Sequence, residues 1–218
     1  MDSKSEQATS TRGVEDAADF HPLDRFNAFS DGVFAIVITL LVLELPVPPA
    51  GVPVLPALAE SWPDFLGYAI SFAFVGGIWL SHAGLTKYLK RGDALSFRLN
   101  LVLLLFVSLL PFSTHLMVAH MEGEGAREAV AVYGVNLLLA SGMMTALLYY
   151  AAHDRYLVVD DVDDDKVNRA YHRRRVYLLL GALAIIVGLI IPVIALGFYI
   201  ALTFGFILQP LLGLRRRH

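Results

Sequence analysis

An all-α integral membrane protein is the fold class this sequence predicts, and three observations predict it. Of 218 residues, 56% are hydrophobic and 17% charged, whereas a soluble domain carries about 45–50% apolar residues, glycine included, and about 25% charged ones. Mean hydropathy is +0.60, and the apolar residues lie in long blocks, each near the roughly 20 residues that cross a hydrocarbon core of about 30 Å. Nearly all basic residues, finally, collect in alternate connecting segments, as they do where a chain is threaded through a bilayer. The net charge of −3 says little beside that placement. Cysteine is absent, which excludes a disulfide framework, a thiolate metal site and a cysteine nucleophile.

Residues 1–23 are polar and mildly acidic, with no basic stretch leading into a short apolar core. They are expected to form a flexible cytoplasmic tail rather than a signal peptide. Span 1 is expected over about 24–45, closed by the proline-rich stretch 46–53, which cannot continue a helix. Span 2 runs over about 62–86, opening at Trp62-Pro63-Asp64, and span 3 over about 97–119, with a kink expected at Pro111. Span 4 follows a Gly/Glu turn, over about 127–151. The last apolar block is about twice one span, and Pro192 is its one plausible turn, giving spans at about 173–191 and 194–213. Six spans therefore make one transmembrane domain over 24–214, followed by a basic cytoplasmic end at 215–218.

Orientation supports six. Of the 17 Lys and Arg residues, all but Arg127 then fall on one side of the membrane, which the positive-inside rule makes the cytoplasm, with both termini there. A single kinked final helix would instead place Arg215, Arg216 and Arg217 outside. The acidic run from Asp160 to Asp165 lacks the glycine and distal glutamate of an EF-hand loop. It is expected to be a solvated loop, within 153–172, balanced by its own arginines.

Span 1 carries Ser30 and Asp31 within its first turns. A carboxylate at a helix centre costs roughly 2.5–3.5 kcal/mol on insertion scales, so such groups face a protein interior or a water path. With spans 1 and 3 running outward and span 2 inward, Ser30 and Asp31 share a depth with Trp79, Ser81 and His82 of span 2 and Asn100 of span 3. The indole, imidazole and amide can supply donors to a buried carboxylate. Arg25 sits at the membrane boundary, six residues and about 240° from Asp31, so a neighbouring helix or subunit would have to complete any pair between them. No G-x-S-x-G, H-E-x-x-H or Walker sequence accompanies these groups, and the expectation is a network that holds helix 1, not an enzyme. His115 and His120, near the outer end of span 3, are expected to be interfacial or structural.

Ile36, Leu40 and Leu43 share one stripe of helix 1, with Thr39 beside it. Periodicity alone is compatible with ordinary helix packing. Several copies around an axis would instead make a pathway narrowed by branched aliphatics, with Glu44 and the negative helix end favouring cations at its outer mouth. A proton-coupled secondary transporter using Asp31 and His82 is the rival. It would normally carry an internal repeat with broken mid-membrane helices, and no repeat relates 24–120 to 121–214.

The run Arg25-x-x-x-Phe29-Ser30-Asp31-Gly32, continuing through Ala-Ile36-x-x-Thr39-Leu40-Leu41-x-Leu43-Glu44, resembles the opening signature of the endolysosomal transmembrane potassium channel family in its bacterial, single-repeat branch. Trp79 with His82, Leu99-Asn100, and Leu110-Pro111-Phe112 agree with it, and the likeness extends over about 24–214. The resemblance implies a homotetrameric, potassium-selective channel of the cell membrane, multi-pass, with no T-V-G-Y-G filter. By motif position, Ile36 would form the narrowest hydrophobic ring, Leu40 and Leu43 the next, and Thr39 a hydroxyl ring linked to potassium preference. Arg25, Ser30, Asp31, Trp79, His82 and Asn100 would form the network that holds helix 1. The family often has a hydroxyl residue just before the constriction, where this chain has Ala35. The implied partners are membrane lipid, further copies of the chain and permeating K+. No cofactor, nucleic acid or resident metal is implied.

Overall fold

The structure is a computed structural model that describes residues 23–121, 123–153 and 164–207. The expected tail, most of the acidic run and the basic end at 215–218 lie outside the described residues. Among those described, the regular structure is helical: α1 (Leu23–Leu43), α2 (Val54–Glu60), α3 (Trp62–Thr86), α4 (Ala94–Ser108), α5 (Leu110–Ala119), α6 (Ala126–His153), α7 (Asp164–Gly188) and α8 (Pro192–Ile207). By length and composition α1, α3, the joined pair Ala94–Ala119 and α6 are candidate membrane spans, and α8 is a shorter apolar helix.

Local chemistry sets the boundaries. α1 stops where Glu44 and Leu45 fold back onto Leu41 and Val42 ahead of the prolines. α2 is short, has no buried residue, and was not anticipated from sequence. Ser61 closes it and opens α3, with Pro63 in the first turn where a missing N–H costs nothing. A capping box starts α4: Asp93 accepts from the Ser96 amide at 2.8 Å, and Ser96 Oγ accepts from the Asp93 amide at 3.0 Å. The Tyr150 hydroxyl of α6 donates to the other Asp93 oxygen. Burial alone would raise the Asp93 carboxyl, but the hydrogen bonds from Tyr150 and Ser96 outweigh it and hold the group below the ordinary carboxylate range. The helix breaks at Leu109, one residue after α4 and two before Pro111, and resumes as α5.

One expectation needs correction. The segment 153–172 was read as a solvated loop, yet α7 begins at Asp164, so its last nine residues are helical. Acidic residues at a helix start complement the positive end of its dipole, and the arginines that follow are good helix formers. α7 and α8 then form an antiparallel hairpin across 189–191: Gly188 lies against Ala195 at the turn, and Gly205 against Tyr177 at the far end.

The core is one cluster centred on α6, which packs against α4, α5, α7 and α8. Lipid is as apolar as leucine, so interhelical packing and hydrogen bonds, rather than water exclusion, must favour this arrangement. Ser71 of α3 bonds to Thr114 of α5 at 2.7 Å and to Tyr133 of α6 at 2.9 Å, and Asn136 of α6 donates to Ser113 of α5 at 3.0 Å. Close approach of α6 and α8 depends on Gly134, where a Cβ would stand 2.6 Å from Cζ of Tyr199. Tyr199 is itself tied to the Val130 carbonyl at 3.3 Å. Gly134→Ala is therefore expected to destabilise by about 1–3 kcal/mol, read as a lower melting midpoint in detergent. Gly142→Ala, with nothing within 4 Å of its Cβ position, should cause no such loss.

α1 lies at the edge of this bundle, on α3, α4 and α5. Only 28% of its most apolar window is buried, against 50% for α3 and for α6. That edge position leaves one side of α1 without a neighbour among the described residues.

Candidate functional site: the bare face and anchored face of α1

The helical period divides α1 into two stripes. Phe26, Ser30, Phe34, Val37 and Leu41 are buried. Rotated from them, Arg25, Asp31, Gly32, Ala35, Ile36, Thr39, Leu40 and Leu43 are exposed, Ile36 at 59% and Leu43 at 75%.

On the anchored side the polar groups of α1 fall into two separate sets of bonds. Ser30 and Asp31 are consecutive, hence about 100° apart on the helix, and they reach different partners. The Ser30 hydroxyl donates to the Phe26 carbonyl at 2.9 Å, which leaves its oxygen to accept from Asn100 Nδ2 at 2.9 Å. That bond fixes the Asn100 amide, so its Oδ1 faces His82 Nε2 at 3.0 Å. A carboxamide oxygen only accepts, so His82 carries its proton on Nε2. The result is one directed relay: His82 to Asn100 to Ser30 to the Phe26 carbonyl. It is walled off by Phe26, stacked on the His82 ring at 5.8 Å, and by Phe34 at 5.7 Å. Asp31, exposed, instead accepts from Trp79 Nε1 at 2.9 Å. Ser81 bonds only its own helix, at Gly77. Arg25 is exposed and stands outside both sets.

On the bare side, Thr39 donates its hydroxyl proton to the Ile36 carbonyl at 2.8 Å. Its oxygen keeps lone pairs free to accept, on an exposed residue one turn beyond Ile36. Glu44, just past the helix end, pairs with His115 Nδ1 of α5 at 3.0 Å. Sequence reasoning had placed both residues near the outer surface but had not joined them. It also missed the two Phe walls, although Phe26, Ser30 and Phe34 recur every four residues and so share a face. Among the described residues no group of three or more His, Cys, Asp or Glu could hold a metal ion.

An all-helical bundle with long apolar helices, and an edge helix tied down by a Ser–Asn–His relay, defines the class as an integral membrane protein. Residues 25–111, which hold most of α1 and the relay, match the model of the endosomal/lysosomal potassium channel TMEM175 family. A potassium channel of Chamaesiphon minutus is 35% identical over 170 residues, covering 74% of this chain and 84% of that one. One of Streptomyces collinus is 34% identical, covering 64% and 69%. The crystal structure of a lysosomal potassium-selective channel TMEM175 homolog from Chamaesiphon minutus superposes with a TM-score of 0.76 at 32% identity, over 85% of this chain and 96% of that one. The chain belongs to the TMEM175 family, a family of ion channels and not of enzymes. Animal members, titled endosomal/lysosomal proton channels, are matched over a smaller share, 28% of the Danio rerio protein at 35% identity.

Proposed function

We propose that this protein is a potassium-selective channel of the cell membrane, in which the bare stripe of α1 from each of four identical subunits lines one pore. The observation that carries the reading is that stripe itself: it is aliphatic, includes one exposed hydroxyl residue, Thr39, and is left uncovered by the described residues. Residues 24–214 form the channel domain, crossing six times with both ends in the cytoplasm, residues 1–23 as a tail and 215–218 as a basic end. The four candidate spans and the α7–α8 hairpin support that count, and the placement of the basic residues supports the orientation. Ile36 forms the constriction, which resists ions by excluding water, and Leu40 and Leu43 continue it. Thr39 supplies oxygen that replaces part of the hydration shell of K+. Glu44, held by His115, sets the charge of the outer mouth. Arg25, Ser30, Asp31, Trp79, His82 and Asn100 hold the helix in register, with Arg25 reaching a neighbouring subunit.

Purified protein in liposomes, under K+, Na+ and proton gradients in turn, tests this. Fast K+-preferring flux is expected, and slow, saturable, pH-coupled flux would favour a transporter using Asp31 and His82 instead. Burial of His82 at 1% exposure behind two phenylalanines argues against it as a proton carrier. Asp31→Ala releases Trp79 and should lower assembly or open probability several-fold while leaving the K+/Na+ ratio alone. A normally assembled, normally gating variant with an altered ratio would contradict the holding role.

A further inference from the structure

The connection from α1 to α3 carries no polar side chain over residues 45–59, which are Leu, Val, Ala, Pro and Gly alone, between Glu44 and Glu60. All of these residues are described and none is buried. Val47 is 87% and Leu55 80% exposed, and Val52 and Val54 are bare as well. Contiguous exposed apolar surface of this kind marks contact with something outside the chain. The segment is also shaped. The Val52 amide donates to the Pro49 carbonyl at 3.3 Å, closing a turn in which Gly51 takes a φ of 89°. α2 then runs directly into α3, Ser61 ending the one and opening the other. Because α1 and α3 are candidate membrane spans, α2 is held at the level where both leave the bilayer.

We propose that residues 45–59, with Trp62, form a lipid-docking surface that lies in the interfacial layer of the bilayer. A protein partner would be held by aromatic or arginine anchors and about one hydrogen bond per 100–200 Å2, and 45–59 offers neither an aromatic nor a polar side chain. Lipid asks only for apolar area and few unmet donors. Pro46, Pro48, Pro49, Pro53 and Pro56 have no amide hydrogen, and the Ala57 and Ser61 amides are met by the Pro53 and Ala57 carbonyls. The backbone therefore gives up little on leaving water. An apolar run of this length, broken by prolines, is too short to cross and suits the interface. Trp62, 59% exposed, opens α3 at the same level, where an indole rests its ring in lipid and its N–H among the headgroups. With the orientation proposed above this is the outer leaflet, and the contact tethers the chain two residues beyond the end of α1.

The chain has no cysteine, so Val47→Cys and Leu55→Cys each give a single site for a nitroxide label, and neither replaces a buried side chain. With the protein in phosphatidylcholine liposomes, collisions of the label with oxygen, which concentrates in lipid, are compared with collisions with a water-soluble nickel chelate. Glu124→Cys, in the exposed turn before α6, is the aqueous reference. The ratio of oxygen to chelate collisions at both sites should exceed that at the reference several-fold. A ratio equal to the reference would put the segment in water. Protection from both reagents would mean that protein, such as a second copy of the chain, covers it. Either result overturns the proposal. Trp62 provides a check without a label: phosphatidylcholine brominated high on its acyl chains should quench the part of the emission that Trp62→Phe removes. If that part is not quenched, the junction of α2 and α3 is away from lipid and the proposal fails.

Discussion

Ile36→Asn raises K+ flux about tenfold and brings the K+/Na+ ratio toward unity, measured in liposomes against wild type. The side chain is exposed on its own subunit, so in the proposed tetramer it faces its three copies across the axis. Four branched aliphatics at one level make a ring that water leaves readily, and an ion crossing it sheds hydration with nothing to replace it. A smaller, polar amide keeps water in the ring. Lowering that barrier by about 1.4 kcal/mol is enough for a tenfold rate. Selectivity falls for a related reason: a hydrated ion passes without being stripped, so the Thr39 oxygens one turn away no longer discriminate between cations of different dehydration cost. The substitution touches no buried residue, so the melting midpoint should stay where it is. Unchanged conductance and ratio in a stable variant would remove Ile36 from the constriction.

The Ile36 stripe illustrates how far sequence reaches here. Helical periodicity puts Ile36, Leu40 and Leu43 on one stripe of α1 but cannot say whether that stripe faces the core, because in a bilayer both a packed face and an open one are apolar. Family resemblance chose the Ile36 face, and the structure leaves that face bare while burying Phe34, Val37 and Leu41. The stop of the first helix just ahead of Pro46 (expected near 45, found at Leu43), the start at Trp62 and an interruption near Pro111 (found at Leu109) are legible because proline acts locally, through its fixed φ and missing N–H. The start of α7 was not: a run of aspartates reads as loop by charge, and its place at a helix N-terminus depends on the arginines that follow. Depth arithmetic put Ser30, Asp31, Trp79, His82 and Asn100 at one level, and each of these bonds to another of the set, whereas Ser81 bonds to its own helix. It could not tell that Asp31 and Ser30 diverge to different partners, since that depends on the rotation of α3 and α4 about their axes. The capping box of Asp93 and Ser96 was visible in the spacing and was overlooked. It matters because Asp93 and Asn100 lie two turns apart on one face of α4, so fixing the first helps to aim the second.

Asn100→Leu is expected to be the most damaging single change to the anchored face, lowering stability by about 2–4 kcal/mol. Leucine keeps the branched shape of asparagine, with two somewhat larger methyls in place of the amide oxygen and nitrogen, so the change removes the polar partners without opening a cavity. The His82 Nε2–H and a Ser30 lone pair are both left without a bond in a site where His82 and Ser30 are 1% and 0% exposed, with Phe26 and Phe34 packed on the imidazole. An unmet buried donor costs more than the bond that once met it contributed. The relay therefore predicts strong non-additivity. Removing His82 as well, in His82→Leu with Asn100→Leu, should recover part of the loss, with a coupling of about 0.5–3 kcal/mol. Melting midpoints of the two single variants and the double in detergent provide the cycle. Flux in liposomes separates the roles: surviving Asn100→Leu channels should show altered opening but a wild-type K+/Na+ ratio, because Ile36 and Thr39 lie on the other face. Strict additivity would mean that His82 and Asn100 act as independent packing residues, and that α1 is held by its aliphatic stripe together with the Asp31–Trp79 bond alone.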